Sequence, residues 1–170
     1  RDAEQYSNQT LIHQEFIKTV GIFVNETLDN LVTIATEVNL DAVQLHGDED
    51  EAFIQSLKER TNVEVWKAVQ IRSAADAEAW IDSSADMLLF DAYHKDERGG
   101  TGEVFDWSCL DEFERPFMLA GGIDSTNVAR AIRTVRPYGI DISSGIETEG
   151  VKDDEKIKAF TNIVRTIAMP

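Results

Sequence analysis

The amino-acid sequence predicts an α/β fold in which parallel strands alternate with helices. Short apolar, β-branched runs begin about every 20 to 30 residues, which is the spacing of a strand, a helix and two loops. The runs are apolar at consecutive positions, as in residues 20–24 and 87–90, and strands buried on both faces have that pattern. Such strands form either an open doubly wound sheet or a closed barrel. The pattern alone leaves both architectures open.

Each predicted strand is followed by a stretch with helical signals. The strands are expected at residues 19–24, 42–45, 63–69, 86–90, 117–120 and 139–142. Helix starts are indicated by polar residues that cap a first turn, and helix ends by proline. The expected starts are Asn25-Glu26-Thr27, Asp50, Ser73 with Asp76 three positions on, and Ser125; Pro137 ends the fourth helix, and a last helix is expected over residues 153–167.

Length and charge limit the classes of partner. The 170 residues suit one domain, expected to span residues 1–170. The formal net charge is −16, from 32 acidic and 16 basic residues, which disfavours nucleic acid and anionic membranes. A phosphorylated small molecule remains compatible, because backbone dipoles can make a local positive site. A single cysteine, no long apolar run and a polar beginning lead us to expect a cytoplasmic protein.

Two titratable residues stand directly after predicted strands, where ligand sites lie in both architectures. Asp91 follows an apolar run, and partial desolvation there suits a carboxyl group to general acid catalysis. A helix-capping or ion-pairing role is the alternative. His46 precedes Gly47 after the second run, and either faces a substrate or is a polar loop residue.

Three glycine-rich segments also follow strands. Residues 99–102 (Gly-Gly-Thr-Gly) allow close approach of a ligand, or form a flexible surface loop. Residues 120–123 (Ala-Gly-Gly-Ile) and 141–147 (Asp-Ile-Ser-Ser-Gly-Ile-Glu) follow the last two strands. Both expose backbone N–H groups, and a short helix near Ser144 would direct its positive end at an anion. Together they predict a phosphate site.

Two further residues have more than one interpretation. Lys67 lies inside an apolar strand and either forms a Schiff base with a substrate or pairs with a neighbouring acid. Cys109 has no basic neighbour that would activate it, and we expect a packing role. The sequence contains no His/Cys/Asp cluster with metal-ligand spacing, so no metal is expected.

Taken in order, these segments resemble the phosphoribosylanthranilate isomerase family. The resemblance implies a (βα)8 TIM barrel in which the six visible βα units are the third to eighth. It is carried by residues 20–25, 41–48, 89–91 with 99–102 and 105–107, 119–122 and 136–147.

The resemblance also implies a reaction and the residues that perform it. The reaction is an Amadori rearrangement of N-(5-phosphoribosyl)anthranilate to 1-(2-carboxyphenylamino)-1-deoxyribulose 5-phosphate, in tryptophan biosynthesis, without a cofactor. Asp91 would be the general acid. Substrate binding would fall to His46, Asp141 and Gly102, and phosphate binding to Gly121, Gly122, Ser143, Ser144 and Gly145.

One part of the family pattern is not found in these 170 residues. The family opens with a strand ending in Lys-(Val/Ile)-Cys-Gly, whose cysteine is the general base, and a second strand leads to a Ser-x-Arg loop, of which Arg1 is a candidate remnant. We expect residues 1–170 alone to lack appreciable isomerase activity. The alternatives are a non-catalytic phosphate-binding barrel and a Schiff-base lyase using Lys67.

Overall fold

A computed structural model describes residues 17–92 and 106–168. All six predicted strands form, and they lie side by side in one parallel sheet in chain order. A doubly wound sheet reverses its strand order at a switch point, so the uninterrupted order favours a barrel wall. The strands are β1 (Val20–Phe23), β2 (Ala42–Leu45), β3 (Glu64–Ile71), β4 (Met87–Ala92), β5 (Phe117–Ala120) and β6 (Gly139–Ile140), followed by a separate antiparallel hairpin of β7 (Glu147–Thr148) and β8 (Val151–Lys152).

Five α-helices are found in the described residues, and most start where the sequence predicts. Thr27 accepts a hydrogen bond from the N–H of Asn30, and Asp50 accepts one from the N–H of Phe53. Both are N-caps, as expected from their side chains. The helices are α1 (Leu28–Val38), α2 (Glu51–Arg60), α3 (Ala74–Glu78, with the expected capping box of Ser73 and Asp76), α4 (Val128–Val135) and α5 (Asp154–Ala168).

The expected start of α4 at Ser125 is wrong. The carboxylate of Asp124 accepts hydrogen bonds from the N–H groups of Thr126 and Asn127 and holds residues 124–127 in a separate turn. The helix therefore begins two residues later, with Asn127 as its N-cap. Its end agrees with the prediction, because Arg136 turns into the left-handed region immediately before Pro137.

The described residues after β4, from residue 106 to β5, contain no α-helix. They form a 3₁₀ turn, Trp107–Leu110. The Gly-Gly-Thr-Gly segment of this connection lies outside the described residues. Six strands are thus confirmed, while a sixth strand–helix unit of the usual form is not.

The two faces of the sheet are covered differently. The helices pack on one face and bury the main core, which includes Leu45, Phe90 and Leu119. The other face carries a small cluster of Ala68, Leu89 and Ala120. Among the described residues, β1 pairs only with β2 and β6 only with β5, and Ile22 on β1 is 64% exposed. No helix in the described residues is long and apolar enough to cross a membrane.

Candidate functional site

Residues from the ends of five strands surround one cavity of about 340 Å³. The carboxyl ends of parallel strands are where barrel enzymes bind their substrates. The cavity is lined by Ile22, Gln44, His46, Asp91, residues 120–123 and residues 141–144. A neighbouring cavity of about 540 Å³ shares His46, but contains neither Asp91 nor the glycine loops.

His46 and Asp91 meet in this cavity. Nε2 of His46 lies 3.7 Å from Oδ2 of Asp91, and each side chain is about one third exposed. Nδ1 of His46 lies 3.2 Å from Oε1 of Gln44, and the His46 N–H donates to the carbonyl of Phe23 at 2.8 Å. The arrangement holds an imidazole beside a carboxyl group that can exchange protons with a bound molecule.

Asp141 supplies a second carboxyl group to the same cavity. Its N–H donates to the carbonyl of Leu119 at 2.9 Å, which aligns it beside β5. Burial among the surrounding residues raises its pKa, the charge of His46 lowers it and the charge of Asp91 raises it. The side chain is nevertheless exposed to solvent. The charged form of Asp141 is therefore less favourable than that of an ordinary aspartate.

The two predicted phosphate loops lie against each other. Gly121 and Gly122 have φ values of 85° and 61°, a region that favours glycine. A Cβ on Gly145 would lie 2.0 Å from the carbonyl oxygen of Ile123, so the second loop needs glycine where it touches the first. Asn127, which sequence reasoning did not select, donates to the carbonyl of Gly122 at 2.8 Å and fixes the first loop.

Backbone donors at these loops are available to an anion. In the described part of the chain, no hydrogen bond joins the N–H groups of Gly122, Ser144 or Gly145 to another residue. Ser144 also begins a 3₁₀ turn, close to where a short helix was expected. Lys152 is a further residue that the sequence did not reveal: its Nζ donates to the carbonyl and hydroxyl oxygens of Ser143 at 2.9 and 3.1 Å. A cation is therefore placed beside a loop with free N–H groups.

Comparisons with known proteins identify the family to which this site belongs. The profile of the N-(5'-phosphoribosyl)anthranilate (PRA) isomerase family matches residues 1–163. The chain belongs to the PRA isomerase family.

Individual PRA isomerases match over most of the chain. The enzyme of Endomicrobium trichonymphae is 46% identical over 151 residues, which cover 89% of this chain and 74% of that protein. The enzyme of Thermoanaerobacter sp. (strain X514) is 44% identical over 168 residues, covering 98% and 81% respectively.

Solved PRA isomerases share the fold. The structure from Thermotoga maritima has a TM-score of 0.80 and 35% identity, and the match covers 97% of this chain and 80% of that one. A PRA isomerase in complex with reduced 1-(o-carboxyphenylamino)-1-deoxyribulose 5-phosphate has a TM-score of 0.76 and 32% identity, over 96% and 79%. The parallel sheet of this chain is accordingly of the TIM-barrel type.

Two other residues considered from the sequence lie outside the cavity that holds Asp91. Lys67 Nζ lies 3.1 Å from the Glu49 carboxylate and its side chain is 3% exposed, which confirms the ion-pair interpretation and not the Schiff-base one. Cys109 lies in a separate groove beside Glu112 and Phe113, and burial raises the pKa of its thiol. A thiol that has a raised pKa and lies outside the cavity is a poor candidate for a base. Gly102 lies outside the described residues.

Proposed function

We propose that this chain carries the general acid, the substrate-orienting residues and the phosphate site of an N-(5'-phosphoribosyl)anthranilate isomerase of tryptophan biosynthesis. The observation that supports this most directly is the common cavity: the His46–Asp91 pair and both glycine loops open into it. A phosphorylated sugar needs both an anion site and a proton donor within one cavity. The substrate would be N-(5-phosphoribosyl)anthranilate, and the reaction its Amadori rearrangement.

In this proposal Asp91 acts as the general acid. Its carboxyl proton passes to the ring oxygen of the furanose, the bond from that oxygen to C1′ breaks, and a Schiff base forms with the anthranilate nitrogen. A base then removes the proton from C2′, and the resulting enolamine tautomerises to the ketose. The family's base is the cysteine of its Lys-(Val/Ile)-Cys-Gly segment, so the part assigned to this chain is acid catalysis and binding. His46, 3.7 Å from the acid, and Asp141 would orient the substrate.

The phosphate end is assigned to the two glycine loops. Gly121, Gly122, Ser143, Ser144 and Gly145 are proposed as its ligands. The free N–H groups of Gly122, Ser144 and Gly145 support this assignment, because backbone N–H groups at a helix start favour a phosphate dianion.

Gly102 retains its proposed role in binding the substrate. The six strands are proposed to be the third to eighth of the barrel, within one domain spanning residues 1–170. A cytoplasmic location follows as a proposal from the single cysteine and from a biosynthetic role.

The test of the proposal is Asp91→Asn in the full-length natural protein. The substitution preserves the shape of the side chain and removes its transferable proton. We expect the turnover number to fall by about 10²-fold or more while substrate affinity stays within about tenfold. Asp106→Asn is the control, because Asp106 caps the 3₁₀ turn through the N–H of Ser108 at 3.0 Å and lies outside the cavity. Normal turnover by a folded Asp91→Asn protein would reject the assignment of the acid.

A further inference from the structure

Lys67 and Glu49 form a buried ion pair that the proposed reaction does not use. Both side chains are 3% exposed, and the Lys67 Nζ lies 3.1 Å from the Glu49 Oε2. Taking two charges out of water offsets most of their mutual attraction, so such pairs rarely add much net stability. The role of the pair is therefore better inferred from its location than from its contribution to stability.

Both members of the pair bind the backbone on either side of His46. Lys67 Nζ donates to the carbonyl of Leu45 at 3.4 Å and to the carbonyl of Gly47 at 2.6 Å. The Glu49 carboxylate accepts the N–H of Gly47 at 2.9 Å. The peptide groups before and after His46 are thus held by one pair of charges.

The same loop is attached to the end of β1. The Glu49 carboxylate also accepts the N–H of Asn25 at 2.7 Å, and Oδ1 of Asn25 accepts the N–H of Asp48 at 2.7 Å. A Cβ on Gly47 would lie 2.4 Å from Oδ1 of Asn25, so the loop packs without spare room. Displacing Glu49 would release two backbone donors as well as the Lys67 ammonium.

The contact with His46 passes through the backbone alone. Leu45 pairs with Lys67 in the register of β2 and β3. Neighbouring residues of a strand point to opposite faces, so His46 lies on the cavity side, where its ring is 3.7 Å from the Asp91 carboxylate. The pair can therefore fix the position of the imidazole from outside the cavity that holds Asp91, which neither Lys67 nor Glu49 lines.

We propose that the Lys67–Glu49 pair is a positioning device that sets the place of the His46 imidazole relative to Asp91. The inference rests on the proposed function, in which His46 orients the substrate. It explains why two charges are buried on the helix side of the sheet behind a substrate cavity.

The test is a double-mutant cycle between the pair and His46 in the full-length natural protein. Lys67→Met together with Glu49→Gln removes both charges, so that neither is left buried alone. We expect kcat/KM to fall by about tenfold or more, since a displacement of about 1 Å can cost about 10²-fold. In a His46→Ala background, the same two substitutions should change kcat/KM by less than about twofold, because coupled residues are non-additive.

Lys58→Met is the matched control. Lys58, on α2, pairs with Asp86, which immediately precedes β4 at the amino-terminal end of the sheet and lies away from the cavity. The Lys58→Met substitution should lower the melting temperature, while kcat/KM stays within about threefold of the wild-type value. Combined with His46→Ala, its effect on kcat/KM should simply multiply with the effect of His46→Ala. If the double variant does not fold, Glu49→Asp retains the charge, shortens the side chain and enters the same cycle.

Losses that multiply between the pair and His46 would overturn the positioning role, since they would reflect a structural effect only. Unchanged kcat/KM in the double variant, or in His46→Ala, would overturn it equally. The turnover of an Asp91→Asn variant, measured in the same experiment, tests the proposed function separately. Loss of turnover in that variant, with multiplying losses in the cycle, rejects the positioning role and leaves the proposed function standing.

Discussion

Carboxylates at the two ends of the parallel sheet have different surroundings. At the amino-terminal ends of the strands, Asp41 accepts hydrogen bonds from the N–H and hydroxyl of Thr19 at 2.7 and 2.8 Å. Asp86 accepts the N–H of Val65 at 2.8 Å and pairs with Lys58. Each of these carboxylates joins neighbouring strands. At the carboxyl-terminal ends, Asp91 and Asp141 face an open cavity instead.

The pKa shifts of these carboxyl groups have opposite directions at the two ends of the sheet. The hydrogen bonds from Thr19 lower the pKa of Asp41, whereas burial raises the pKa of Asp141. A lowered carboxyl pKa stabilises the fold at neutral pH, and a raised one destabilises it. The carboxylate at the amino-terminal end of the sheet is thus stabilising at neutral pH, whereas the charge of Asp141 at the other end, where the proposed site lies, is unfavourable.

The largest expected effect is that of Gly145→Ala, which should weaken phosphate binding as well as lower the stability of the fold. The new methyl group would lie 2.0 Å from the carbonyl oxygen of Ile123, and the two phosphate loops must move apart. We expect a loss of about 1–3 kcal/mol in unfolding free energy, and at least about tenfold weaker binding of inorganic phosphate, equivalent to about 1.4 kcal/mol. Urea titration and isothermal titration calorimetry measure the two effects.

Gly150→Ala is the matched control for this prediction. Gly150 has a φ of +77° and nothing within 4 Å of a built Cβ, so alanine there is strained without a clash. Its stability loss should be similar, about 1–2 kcal/mol, while phosphate binding stays unchanged. Equal loss of phosphate binding in both variants would mean that the loops respond to global stability and are not the anion site.

A smaller effect is expected for Glu51, which ties α2 to the segment before β4. Burial alone would raise the pKa of Glu51, but hydrogen bonds from Ser84 and Ser83 outweigh it and lower the pKa from 4.5 to about 2. Between these values the unfolded chain binds more protons than the folded one, so the stabilising contribution is lost as pH falls from 4.5 towards 2. Glu51→Gln should lose about 1–2 kcal/mol at pH 7.

The difference between wild type and Glu51→Gln should shrink as the pH falls through that window. Chemical denaturation at several pH values measures it. A difference that is constant from pH 7 to pH 3 would show that the carboxylate charge is not what holds the segment before β4.

The smallest effects, and the sharpest comparison of the two ends, come from Asp41→Asn and Asp141→Asn. The folded pKa of Asp41 is lowered, so its contribution is present at neutral pH, and Asp41→Asn should lower the melting temperature there. The folded pKa of Asp141 is raised, so its charge is unfavourable above that pKa, and Asp141→Asn should raise the melting temperature at pH 7. The gain in the free energy of unfolding should not exceed about 1 kcal/mol, because the side chain is partly solvated through the cavity.

Both differences should shrink as the pH falls, the Asp141 difference already above 3.8 and the Asp41 difference only below it, because their folded pKa values lie on opposite sides of that unfolded value. Melting curves at pH 7 and pH 3 provide the measurement. Changes of the same sign at pH 7 would contradict the opposed roles of the two ends of the sheet.

The sequence by itself determined the features that depend on neighbouring residues in the chain. The bounds of β2 and β5 agree with their predicted ranges, and Asp50 and Ser73 cap the helices as expected. Capping and strand periodicity involve residues within a few positions of one another, so a pattern in the sequence is enough to predict them. The predicted cap at Ser125 was wrong because the neighbouring Asp124 accepts the N–H groups of Thr126 and Asn127 in a separate turn.

Tertiary structure decided which of these local features meet. The strand order β1 to β6 separated a barrel wall from a doubly wound sheet, which hydrophobic pattern could not do. His46 and Asp91, Lys67 and Glu49, and Lys152 and Ser143 come together through the placement of strands and loops. Nothing in the spacing of these residues reports such contacts, because their distances depend on how distant segments pack and not on the chain between them. The sequence predicted that the candidate site residues lie at the ends of strands, and the packing of the sheet determined which of these residues share a cavity.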